Sequence, residues 1–156
     1  MIKSIITMET KQGRDALSAV CIPVEDKYLA QEVVKNLVDT VNEFNQLSIK
    51  NDGKILAVGL AANQIGEFIR VFIIKWGTIW LPIVNPVIVG RSEKKKTHFE
   101  GCISRPNMER VRTSRSTTIT LEYQCPITGD LQKKKFKGRD AVVVQHEINH
   151  LDGILI

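Results

Sequence analysis

Five residues near the end of the sequence, His146-Glu147-Ile148-Asn149-His150, constrain the chain more than any other stretch. An H-E-x-x-H pattern acquires meaning on an α-helix, where positions i and i+4 share one face a turn apart. Both imidazoles then reach a single metal ion, and Glu147 reaches a water held by that ion. The chain has 3 histidines, and the pentad uses two of them. Only Leu151-Asp152-Gly153-Ile154-Leu155-Ile156 follow, and Asp152 points off the ligand face of a continuing helix. A third protein ligand is therefore expected from upstream.

The upstream candidates are Cys21, Cys102, Cys125, His98 and the carboxylates. Cys102 stands out by its setting, Glu100-Gly101-Cys102-Ile103-Ser104 with Pro106 close behind. The glycine frees the backbone before it, as in a shaped loop that presents a side chain. A metal-bound cysteine is a thiolate, and a Cys-His-His set leaves a fourth position open for water, as hydrolysis requires. Cys21 and Cys125 are read as small buried hydrophobes, and His98, alternating with Phe99, as a strand histidine.

The bulk numbers narrow the class. A chain of 156 residues reads as one domain, 1–156, large enough for a proper core. There is no apolar run of membrane-spanning length, and the first residues lack the pattern of a signal peptide. Three cysteines at unrelated spacings argue for a reducing, cytoplasmic-type compartment over a disulfide framework. The net charge is +5 and the pI near 9.2. Much of the excess sits in Lys94-Lys95-Lys96 and Lys133-Lys134-Lys135, read as solvated turns and hairpin edges. A weak attraction to a polyanion such as RNA is the other reading. No aromatic-interleaved basic motif accompanies the lysines, so sequence-specific nucleic-acid binding is not expected.

Leu29, Val33, Leu37, Val41 and Phe44 recur at helical spacing and predict an amphipathic helix over about Asp26–Leu47, with Asn51-Asp52-Gly53 as a turn. Arg70–Trp76 and Leu81–Val89 read as strands, the second at an edge or kinked because it carries Pro82 and Pro86. Thr117–Tyr123 and Leu131–Lys137 read as a hairpin around Pro126–Asp130. Asp140 is the expected N-cap of a helix over about Ala141–Leu151, ended by Gly153. The fold class is α+β: mostly antiparallel sheets packed around a C-terminal helix that carries the pentad, plus one N-terminal helix.

Three separated segments resemble, in order, the motifs of the peptide deformylase family. Gly59-Leu60-Ala61-Ala62-Asn63-Gln64 resembles its glycine-led first motif, Glu100-Gly101-Cys102-Ile103-Ser104 its second, and Gln145-His146-Glu147-Ile148-Asn149-His150-Leu151 its third. The resemblance runs from about Asp15 to the C-terminus. It implies removal of the N-formyl group from the initiator methionine of nascent polypeptides, with release of formate. It also implies Fe²⁺ held by Cys102, His146 and His150, with Zn²⁺, Ni²⁺ or Co²⁺ as substitutes; a thiolate with two imidazoles does not select among these. Glu147 would be general base and then general acid. The Gln64 amide and the Ile103 N–H would face the developing oxyanion. The backbone of Val58, Gly59 and Leu60 would pair with the substrate as an added strand. Val58, Val142 and Val143 would line the methionine pocket, with His146 at its base. The resemblance places the chain in a bacterial or organelle-like translation compartment.

The chain departs from the family pattern in places. Ala57 stands where a glycine is usual, Ile103 where leucine is, and Asn149 where an aspartate precedes the last histidine. Family members usually continue into a C-terminal extension that contributes to ribosome docking; this short form lacks it, so any ribosome association is expected to be weak, and a viral or reduced-genome source is suggested. Two competing readings are a small metal-dependent protease or amidase, and a catalytically inactive metal-binding, ribosome-associated module.

Overall fold

The computed structural model describes residues 1–156. Its elements run α1 (Lys11–Leu17), α2 (Lys27–Asp52), β1 (Gly59–Ala61), β2 (Val71–Trp76), β3 (Ile79–Arg91), β4 (Lys95–Glu100), β5 (Val111–Ser116), β6 (Thr118–Gln124), β7 (Leu131–Lys137) and α3 (Gly138–Leu151). Five strands form one antiparallel sheet in the order β1-β2-β3-β6-β7, and β4 pairs with β5 in a second. The α+β class read from the sequence holds.

The strand β2 explains the layering. Its Val71, Phe72, Ile73 and Ile74 are all buried, because both faces of the sheet are covered. Phe72 and Ile74 join the core beneath α3 with Ile83, Leu121, Phe136, Val144 and Ile148. Val71 and Ile73 join the core beneath α2 with Leu60, Val33, Leu37 and Val41. Period-2 alternation thus divides one apolar run between two helices.

The expected N-terminal helix is present and longer than its apolar stripe. Asp26 caps it, accepting from the Tyr28 and Leu29 backbone N–H groups at 2.8 and 3.3 Å. It continues to Asp52, and Gly53 closes it in the left-handed region at φ 66°. The expected turn is therefore the helix's last residues and its cap.

The expected edge or kink at β3 resolves into a change of partner. Ile79–Val84 pairs with β2, whereas Val84–Arg91 pairs with β6, with a register shift between Val84 and Val87. Pro82 lies where β2 is the sole neighbour, and Pro86 lies in the bulge, so neither missing N–H interrupts a ladder. The interior position of β3 departs from an edge assignment, yet each half is locally an edge. Asn85 takes φ 48° at the bulge. Its amide accepts from Val24 N at 2.9 Å and donates to Val24 O at 2.7 Å.

The last helix corrects the expected cap. It begins at Gly138, which turns out of β7 with φ 56°, and Lys137 occupies the N-cap position without a side-chain cap. Asp140 sits inside the first turn, where its charge suits the helix dipole. The hairpin runs straight into the helix, so no separate capping loop exists. The short strands β1, β4 and β5 and the helix α1 had no clear periodicity in the sequence. No helix is long and apolar enough to cross a membrane.

Candidate metal centre and active site

The helix α3 presents two faces with different duties. Ala141, Val144, Ile148 and Leu151 recur at three- and four-residue spacing and bury into the core. Val143, His146, Glu147 and His150 occupy the neighbouring stripe and turn toward the loop after β4. The ligand atoms of Cys102, His146 and His150 all lie within 4.8 Å of one another, and all three residues are buried. Cys102 Sγ is 3.3 Å from His150 Nε2. His98 stays on β4 outside this cluster, and Cys21 is buried in the core, as expected. Cys125 lies half-buried in a turn, so its reading as a buried hydrophobe is corrected.

The candidate ligand His146 is held from behind, whereas His150 Nδ1 is buried without a partner. Glu100 Oε2 lies 2.8 Å from His146 Nδ1, which leaves Nε2 of that ring to face the cluster. Arg115, from β5, holds Glu100 at both oxygens, through Nε at 2.8 Å and Nη2 at 2.9 Å. Arg115 Nη1 also donates to Asn149 Oδ1. The asparagine that replaces the usual aspartate therefore keeps its link to the ligand support, without the charge. Gln145 ties α3 to β5, donating to Ser116 O at 3.0 Å and accepting from Ser116 N at 3.2 Å. Asn63 donates to His150 O at 2.6 Å. Arg115, Asn63 and Glu100 as a support were not read from the sequence. Glu100 and Asn63 lay inside the matched motifs, but nothing local marks Arg115.

The electrostatics suit a metal. Burial holds His150 down to about 3, so its ring is neutral and free to donate a lone pair. Burial opposes charge on His146, but the Cys102 sulfur and the Glu100 carboxylate outweigh it and lift that group to about 10. Burial opposes charge on Glu100 too; Arg115, His146 and Thr113 overcome it and hold the carboxyl well below its usual range. The donor set of one thiolate and two imidazoles, buried and pre-oriented, fits a divalent metal with an open position.

Glu147 lies beside the cluster with Oε2 buried and unpartnered. Burial raises its carboxyl to about 7, with His146 pulling it down and Glu100 pushing it up. Its side chain packs on Gly59, where a Cβ would lie 2.8 Å from Glu147 Cδ. Glycine is thus required at 59 to make room for the carboxylate, besides any close approach of substrate. Gln64 Oε1 accepts from Ala61 N at 2.9 Å, and its Nε2 donates to Ser104 Oγ at 3.0 Å and lies 3.7 Å from Cys102 Sγ. Ala57 lies outside the left-handed region, so the replacement of glycine carries no strain. Asn45, from α2, brackets it, donating to Ala57 O at 2.9 Å and accepting from Ala57 N at 3.0 Å.

These groups floor a cavity of about 620 Å³ that also reaches Val58, Gly59, Ile103, Val142 and Val143. Leu60 is fully buried in the core beneath α2 and does not line the cavity. Of the site residues read from the sequence, all but Leu60 and His150 line this cavity, and His150 is fully buried behind it.

The family model for polypeptide deformylase matches residues 2–156. The chain belongs to the peptide deformylase family. It is 34% identical to the peptide deformylase of Fusobacterium nucleatum over 93% of this chain and 78% of that one. It is 33% identical to that of Dictyoglomus thermophilum over 81% of this chain and 73% of the relative. The crystal structure of peptide deformylase from Thermotoga maritima superposes with a TM-score of 0.84 at 26% identity, covering 99% of this chain and 95% of that one. A Met-Ala-Ser-bound class I type b deformylase from Acinetobacter baumannii superposes at 0.81 and 26% identity, covering 99% of this chain and 96% of that one. The chain is a metal-dependent hydrolase that removes the N-formyl group from the formyl-methionine of nascent peptides and releases formate. The readings as a protease or as an inactive module are not favoured.

Proposed function

We propose that Cys102, His146 and His150 hold the metal, with Fe²⁺ as the resident ion and Zn²⁺, Ni²⁺ or Co²⁺ as substitutes, and that residues 1–156 act as one catalytic domain. When bound, the metal supplies Lewis acidity to the water and to the formyl group. Glu147 takes the proton of the attacking water and delivers it to the methionine nitrogen as the formyl C–N bond breaks. The buried, unpartnered Oε2 of Glu147 supports this role. Gln64 Nε2 and the Ile103 N–H donate to the formyl oxygen as it gains charge. The Ile103 N–H donates to no backbone carbonyl, in keeping with that duty.

The substrate lies along the open edge of β1. Val58 O accepts from Lys75 N at 2.8 Å, so the next residue, Gly59, turns its backbone groups to the open side of the ladder. The methionine side chain packs on Val142 and Val143, above His146. The substrates are nascent formyl-methionyl chains in a cytoplasmic or organelle-like compartment, with weak ribosome association. The observation that carries this reading is the convergence of three buried ligand atoms within 4.8 Å beside a cavity edged by β1, the outer strand of its sheet.

The test is formate release from formyl-Met-Ala-Ser by anaerobically purified protein of measured metal content, with and without chelator. Release that tracks metal content and stops with chelator is expected. Release that is indifferent to metal, or equal cleavage of internal bonds in unformylated peptides, would overturn the proposal.

A further inference from the structure

The catalytic cavity has a charged mouth that the chemistry at its floor does not use. Lys54, Lys96, Arg110 and Arg139 line it, and all four are exposed. None of them pairs with a carboxylate. The cavity's two carboxylates, Glu100 and Glu147, are both buried at the floor, and Glu100 is already neutralised by Arg115. The four cations come from separate segments: the loop before β1, the strand β4, the loop before β5, and the first turn of α3. On β4, alternation puts Lys96 and His98 on the same face as Glu100, so one lysine of a triplet that reads as solvated is a wall of the cavity. Arg139 also borders a second cavity of about 540 Å³, which shares Ile55, Ala57 and Val58 with the first. Val58 immediately precedes β1, so this shared wall adjoins the β1 edge.

We propose that the mouth selects nascent peptides with acidic side chains three to five residues from the formyl-methionine. This rests on the reading of the cavity as the formyl-peptide site and names the substrate class it favours. Spacing sets the position. Lys96 is four strand residues from Glu100, roughly 13 Å at about 3.3 Å per residue, and an extended peptide anchored at the floor covers that span in about four residues. Four unpaired cations around a concave mouth concentrate negative charge. Each added carboxylate gains a partner there, whereas a lysine meets like charge from both walls.

The experiment uses three amidated peptides, formyl-Met-Ala-Ala-Asp-Asp-Ala, formyl-Met-Ala-Ala-Asn-Asn-Ala and formyl-Met-Ala-Ala-Lys-Lys-Ala, with metal-loaded protein at low and high salt. The expected order of kcat/KM is Asp over Asn over Lys, with about three- to tenfold per step at low salt. The effect should reside mainly in KM and shrink toward unity as the screening length falls to about 3 Å at 1 M salt. Binding of the deformylated products, read by calorimetry, should follow the same order. Lys96→Glu with Arg139→Glu should invert the Asp-to-Lys ratio, a within-protein comparison that needs no constant basal rate. Equal kcat/KM for the three peptides, or a preference that survives the double reversal, overturns the proposal. So does salt-sensitive binding of single-stranded RNA to these residues with no peptide preference. Absence of turnover on all three peptides would instead strike the reading of the cavity itself.

Discussion

Two atoms' worth of space decide much of this site. A methyl group at position 59 would meet the Glu147 carboxyl carbon at 2.8 Å, so Gly59→Ala must displace the base or the β1 edge. A shift near 1 Å at a reacting group costs about 10²-fold, and a loss of that order in kcat/KM, with the fold intact by circular dichroism, is expected. Arg115 works at one remove. Arg115→Met leaves Glu100 buried without its cation, at about 3–5 kcal/mol. Metal affinity is expected to fall about 10- to 100-fold as His146 loses its support, read by metal titration beside denaturant unfolding. The cysteines sort by environment. Burial raises Cys21 to about 11, while backbone N–H groups of Thr128 and Ile127 lower Cys125. The thiolate is the reactive form, so iodoacetamide at pH 8 should modify Cys125 first and Cys21 last, by peptide mass mapping. Of these residues, Cys102, His146, Glu147, His150 and Gln64 were legible in the sequence because they sit in short motifs. Arg115 was not, since its partners are 15 and 34 positions away and a lone arginine in a strand carries no local mark.

At the scale of elements, the site is a junction of pieces that are individually ordinary. The helix α2 contributes no ligand, yet its Asn45 holds the backbone of Leu56 and Ala57 beside the open β1 edge. Asn45→Ala leaves three backbone groups, Leu56 N, Ala57 N and Ala57 O, without this partner, at about 1–3 kcal/mol for a buried group left unpaired. A raised KM for formyl-Met-Ala-Ser with a smaller change in kcat is expected, because the loop borders the substrate and does not touch the reacting atoms. The helices α2 and α3 and the β6–β7 hairpin were readable from the sequence, since each carries a long periodic stripe or a clear turn. The strand β3 was half-readable: its two prolines announced an irregularity, but its exchange of one neighbour for another at Asn85 depends on partners remote in sequence. The β4–β5 pair was legible only at His98, read as a strand histidine, because its faces mix Lys95, Lys96, Arg112 and Arg115 with a single large apolar side chain per strand, and pairing with each other defines them.

At the scale of the molecule, metal and fold are coupled. The three proposed ligands join α3 to the loop after β4, two parts of the chain otherwise linked by the His146–Glu100 contact and through Arg115. An ion that binds this arrangement and not the unfolded chain stabilises it by about 2.7 kcal/mol at a hundredfold excess over Kd. For a chain of this size that corresponds to roughly 5–10 °C, so chelation should lower the thermal midpoint by that amount and restoring the metal should recover it. The same centre carries the chemistry, and Glu147 is the one charged group in it that is neither ligand nor ligand support. The most direct measurement is therefore metal content and formate release, side by side, for Glu147→Gln. Wild-type metal stoichiometry with turnover of formyl-Met-Ala-Ser reduced about 10²- to 10⁴-fold is expected. Turnover that persists with metal bound would contradict the role of Glu147 as the proton carrier, and loss of the metal would contradict its place outside the ligand set.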